Sequence, residues 1–113
     1  MIILHITDQR AWQNALEAGE YLGDSLDHDG FIHCCLAAQT EQVLEQWFSG
    51  RSNLLVLEID SNRLAPEVIF ENLESGDEKF PHIYGPINLD AVIHVQEIHS
   101  IQKGNLKNAK PNQ

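Results

Sequence analysis

One run of residues constrains the fold more than any other. Leu54–Ile59 (LLVLEI) is apolar, partly β-branched and bounded by polar turn residues on both sides. Six such residues are too few for a buried helix and suit a strand covered on both faces. The sequence therefore predicts a central strand there, and the rest of the chain must supply neighbours for its edges and cover for its two faces.

The candidates for that role are arranged on either side. Ile2–Ile6 reads as a buried strand interrupted by His5. Thr7 or Asp8 is placed to cap a helix that runs through Asn14–Ala18 and stops at Gly19, with Trp12, Ala15 and Leu16 on its apolar face. Glu20–Asp29 reads as a loop. Phe31–Cys35 is a second strand, opened by Gly30. A second helix is expected from Thr40 to Ser49, with Val43, Leu44, Trp47 and Phe48 as its buried stripe and Gly50 at its end. After the central strand and a connection over Ser61–Ala65, Glu67–Glu71 (EVIFE) reads as a strand and Ser75-Gly76-Asp77 as a turn. Phe80–Pro86 (FPHIYGP) has two prolines and a glycine and reads as an ordered loop, not a strand interior. Ala91–Ile98 (AVIHVQEI) is the last strand. The order β-α-β-α-β-β-β gives an α+β fold, a small split mixed or antiparallel sheet with two N-terminal helices, in one domain over residues 1–102. Residues 103–113 read as a basic, polar, disordered tail containing Lys103, Lys107 and Lys110.

Charge limits what such a domain can hold. Seventeen acids stand against seven bases in 113 residues, a net charge of −10. That surface repels phosphate backbones and anionic lipid, so neither nucleic acid nor membrane is an expected partner. The opening MIILHITD has no basic start and no long apolar run, so no leader or spanning helix is expected. Cys34 and Cys35 are adjacent and form no disulfide framework, which points to a reducing cytoplasm. The expected state is a monomer or weak dimer with a small-molecule ligand.

Several polar residues sit where packing alone would choose apolar ones. His5 lies inside an apolar strand, His33 inside GFIHCC, and His82 and Tyr84 inside FPHIYGP. If the first two strands share a sheet, their imidazoles can face one cleft, and the later segment adds a third imidazole and a phenol. That set suits a ligand with a sugar, a phosphate or a heteroaromatic base. No metal site is expected, because no H-x-x-x-H or C-x-x-C spacing occurs. Glu71 ends its strand, where a carboxylate can reach over a cleft. There is no phosphate-binding glycine loop and no nucleophile elbow.

The strings LHITD, AGEY, SLDHDGFIHCC, LLVLEID and FPHIYGPINLDAV, taken together over Ile2–Gln96, resemble a bacterial family designated domain of unknown function number 952. That family is placed by fold resemblance among ADP-ribosyltransferase-like proteins, and the N-terminal order is similar to that of RNA 2′-phosphotransferases. His5-Ile6-Thr7 matches the first string of those enzymes, and Ile32-His33-Cys34 matches part of the second. The resemblance implies that His5 and His33 line a cleft holding the nicotinamide-ribose end of NAD, and with Thr7, Ser25, His82 and Tyr84 they make the candidate set for binding NAD or a nucleotide-like molecule. Glu71 and His33 would be its catalytic residues, and ADP-ribose transfer its reaction. NAD would then be a substrate, and no cofactor is required. The resemblance has one departure. None of the three arginines lies beside His33 or in FPHIYGP, so phosphotransfer and RNA binding lack their guanidinium. A non-catalytic small-molecule or peptide binding module, and a purely structural role for these strings, are the alternative readings.

Overall fold

The structure is a computed structural model and describes residues 1–72 and 76–98. The tail from 103 to 113 and Ser75 of the expected turn lie outside the described residues. Eight strands and three α-helices occur among those described: β1 (Ile2–Asp8), α1 (Gln9–Ala18), β2 (Glu20–Tyr21), α2 (Asp24–Asp29), β3 (Ile32–His33), α3 (Thr40–Trp47), β4 (Leu54–Asp60), β5 (Val68–Glu71), β6 (Phe80–Ile83), β7 (Ile87–Asn88) and β8 (Val92–Ile98). No described helix is long and apolar enough to cross a membrane.

The LLVLEI run is the central strand it was expected to be. β4 lies between β1 and β8, antiparallel to both. Its alternate residues serve two cores. Leu57 and Ile59 join Ile3, Ala15, Ile32, Ile83 and Ile87 on one side. Leu54 and Val56 join Ile6, Leu44 and Ile98 on the other, with Val43 and Phe48 packed against them. Burial on both faces is why the run shows no apolar–polar alternation. α1 is capped as expected: the Asp8 carboxylate accepts the Ala11 N–H at 2.8 Å, and Gly19 takes the left-handed conformation at φ 87°.

A second three-stranded sheet, in the order β3-β6-β5, carries the other half of the fold, and β2 pairs with β7. Every described pairing is antiparallel, so the sheet is split without being mixed. Besides their shared core, the two larger sheets are joined among the described residues by one backbone bridge, in which Leu4 and Cys35 exchange two hydrogen bonds of 2.8 Å.

Three expectations need correction. Phe80–Ile83 is not a loop but the middle strand β6. Pro81 is tolerated because it stands where β3 ends. Its carbonyl accepts the Cys34 N–H at 3.0 Å, and regular pairing with β3 stops at His33, so the missing N–H costs the ladder little. Glu20–Asp29 is not a loop throughout but holds β2 and the short helix α2, which buries no residue and so has no apolar stripe to read. α3 stops at Trp47, before Gly50, and leaves Trp47 60% exposed instead of in the stripe.

Candidate functional site

Strand periodicity explains how the polar residues come together. His5 and Thr7 are two apart on β1, so they share a face of the first sheet. In the second sheet His33 and His82 are register partners, and Glu71 and Tyr84 lie an even number of residues away on β5 and after β6. Phe31 precedes His33 by two. These side chains therefore share one face, while Ile32 and Ile83 point to the core and are fully buried.

The two faces line a cleft of about 910 Å³, at the upper end of the range for small-molecule sites. Among the sequence-predicted residues His5, Thr7, Ser25, His33, Glu71 and His82 all line it. Tyr84 does not; it reaches the site through its bond to Glu71 and its ring contact with Phe31, centroids 5.2 Å apart.

On the first sheet the groups form a closed, directional chain. The His33 carbonyl can only accept, so His5 Nδ1 carries a proton and donates to it at 2.6 Å. His5 Nε2 then accepts from the Tyr21 hydroxyl at 2.8 Å, and that oxygen accepts from Thr7 at 2.8 Å. Burial disfavours the imidazolium and lowers the His5 pKa to about 4, while burial raises the Tyr21 phenol to about 12. This chain is neutral near pH 7. Both His5 nitrogens are used within the protein, so a ligand at this wall meets the Thr7 hydroxyl first.

The second sheet presents ionisable groups. His82 Nδ1 donates to Glu71 Oε2 at 2.9 Å, which leaves Nε2 as an acceptor. The Tyr84 hydroxyl donates to the same carboxylate oxygen. These two donors, Tyr84 first, hold the Glu71 carboxyl below its usual range, and the carboxylate in turn pushes the Tyr84 phenol up. Glu71 Oε1 has no partner among the described residues. His33 Nε2 donates to Asp29 Oδ2 at 2.8 Å across the end of α2. Phe31 packs against both imidazoles, stacked on His82 with centroids 4.1 Å apart and tilted against His33 at 4.7 Å, while the two imidazoles meet edge-on at 5.4 Å. Ser25 donates to the Phe31 carbonyl at 2.9 Å and so fixes that ring's backbone.

Sequence reasoning missed Tyr21, Phe31, Asp29 and Arg51. Tyr21 was readable in part, since a buried tyrosine needs a partner for its hydroxyl. Arg51 was not, because its place depends on the course of α3. Among the described residues no cluster of three His, Cys, Asp or Glu is placed to hold a metal. Cys34 and Cys35 are buried free thiols. Burial raises Cys35 to about 11 and Cys34 well above the ordinary thiol value, so neither is an activated nucleophile.

A family model described as a protein of unknown function (DUF952) matches residues 6–95. The crystal structure of protein CC0527 from Caulobacter crescentus superposes with a TM-score of 0.81 at 24% identity, covering 96% of each chain. The solution structure of CC0527 gives 0.74 at 28% identity over 87% of this chain and 84% of that one. These likenesses show a shared α+β fold. No curated protein matches the chain.

Proposed function

We propose, from the premise that this chain belongs to the DUF952 family, that its cleft binds NAD or a nucleotide-like molecule within an ADP-ribosyltransferase-like fold, and that it transfers ADP-ribose. One observation carries the reading: six polar side chains from β1, α2, β3, β5 and β6 line a single cleft where the two sheets separate.

The chemistry follows from the charges. As the bond from the ribose carbon to the nicotinamide nitrogen breaks, its electron pair leaves with nicotinamide and positive charge develops on the sugar. Glu71, held ionised by Tyr84 and His82, stabilises that charge through its unpartnered oxygen. A hydroxyl acceptor or water then forms the new bond to the sugar carbon and gives its proton to His82 Nε2. Thr7 and His33 supply hydrogen bonds to ribose hydroxyls. His5 acts behind them, by fixing the Tyr21 and Thr7 hydroxyls.

Amide shifts of the full chain under NAD titration test the binding. Shifts at Thr7, His33 and His82 are expected, and none at millimolar NAD would overturn the reading. Nicotinamide release over hours separates the enzyme from the binding module: saturable binding without release would leave only the latter. The structural alternative is supported at His5, whose two nitrogens are both satisfied inside the protein.

A further inference from the structure

We infer that Trp47, Phe48 and Arg51 form a second subsite of the cleft, one that takes a planar base carrying a phosphate, the adenosine-phosphate part of a nucleotide. The inference rests on the nucleotide reading above and gives the ligand a direction.

Three observations converge there. First, Trp47 lines the cleft yet is 60% exposed, while Leu44 one turn earlier is buried in the core. A large aromatic face left in water beside a cleft is unused by folding and available for stacking. Second, the chain turns after α3 through Gly50, at φ 81°, and Arg51 N–H donates to the Phe48 carbonyl at 3.0 Å. The turn brings the guanidinium over the Phe48 ring, 5.4 Å from its centroid, on the cleft wall.

Third, among the described residues the charge pattern favours one place for an anion. Asp8, Asp24, Asp29 and Glu71 line the cleft, and among the described residues Arg51 is the only lysine or arginine that does. Its one ion pair among the described residues, to Asp8 Oδ2, spans 3.6 Å, longer than a charge-assisted hydrogen bond. The other Asp8 oxygen is held by the α1 cap. The guanidinium fork is therefore loosely committed, and a phosphate can take its donors while the base lies on Trp47. The arginine absent from the sequence motifs is thus supplied from another element. Ribose and nicotinamide would lie toward His33, His82 and Glu71.

AMP is the discriminating probe, since it has the base and phosphate but no nicotinamide ribose. Amide shifts and tryptophan emission of the full chain are followed as AMP is added. Shifts centred on Trp47 and Arg51 are expected, with quenching that disappears in Trp47→Phe. Trp47→Ala and Arg51→Gln should each weaken AMP by about tenfold, the scale of one lost base stack or phosphate fork. Both side chains are more than half exposed, so the variants should fold, and melting curves check this. Arg51→Lys keeps the charge but loses the fork and should fall between. AMP shifts confined to the His82 end, or an affinity unchanged by both variants, would overturn the subsite while leaving NAD binding intact. No response to AMP at millimolar concentration would also overturn it. Loss of the NAD response at Thr7, His33 and His82 instead refutes the underlying nucleotide reading.

Discussion

Acidification should destabilise this protein through His5 before most carboxylates begin to titrate. In the unfolded chain His5 takes a proton near pH 6.5, whereas in the folded chain burial holds its pKa near 4. Between those values the unfolded state binds more protons, so stability is full above pH 6.5 and falls as the pH drops toward 4. The gap corresponds to about 3 kcal/mol in total, of which about 2 kcal/mol is lost by pH 5. For a domain of this size that is a large share of the whole stability. Burial explains the sign: loss of hydration disfavours the charged ring and outweighs the His33 carbonyl bond, which favours the proton. Urea unfolding at fixed ionic strength from pH 7.5 to 4, for wild type and His5→Asn, isolates this contribution. The variant keeps a donor for the His33 carbonyl and should lose about 1–3 kcal/mol at pH 7.5, with Tyr21 left without its acceptor. Its pH dependence between 6.5 and 4 should be correspondingly flatter, the other histidines cancelling in the difference. Equal slopes in the two proteins, or an NMR titration of the His5 ring centred near 6.5, would refute the reasoning.

Other sites give narrower expectations. A Cβ on Gly85 would stand 2.7 Å from Pro66 Cβ, so Gly85→Ala should cost about 1–3 kcal/mol by overpacking, and an unchanged melting temperature would show that the loop gives way freely. Both cysteines should resist a thiol reagent at pH 8 and react only on unfolding, since burial raises both thiols; labelling of the native chain at a free-thiol rate would contradict their placement. Glu71→Gln removes the carboxylate that raises the Tyr84 phenol, so Tyr84 should ionise at lower pH in an ultraviolet titration, and an unmoved midpoint would mean the two are not bonded in solution.

What could be read from the sequence was what depends on local pattern. LLVLEI carried its burial in its composition, and Asp8 and Gly19 carried the ends of α1 in their chemistry. The errors came where a local rule met a tertiary exception. Proline in FPHIYGP argued against a strand interior, yet the rule concerns a missing N–H, and at Pro81 the neighbouring strand has already ended. α2 has six residues and no buried one, so no periodicity existed to find it. The grouping of His33, His82 and Glu71 was partly legible, because strand parity limits which residues share a face, but the register that sets them beside one another is a long-range property.

The two sheets divide the work of the cleft, and the division explains why histidine serves both walls. On the first sheet His5 is locked in one tautomer by a carbonyl and a hydroxyl, so its wall is neutral and its hydroxyls are fixed in direction. On the second sheet His33 and His82 are each tied to a carboxylate through one nitrogen. The same side chain therefore holds hydroxyls in place on one wall and carboxylates on the other. A cleft lined by four carboxylates would otherwise repel any anionic ligand. Asp29 and Glu71 are hydrogen-bonded to His33 and His82, Asp8 to the α1 cap and paired with Arg51, and among the described residues Arg51 is the one lysine or arginine on the cleft wall, where the proposed anionic ligand would meet it.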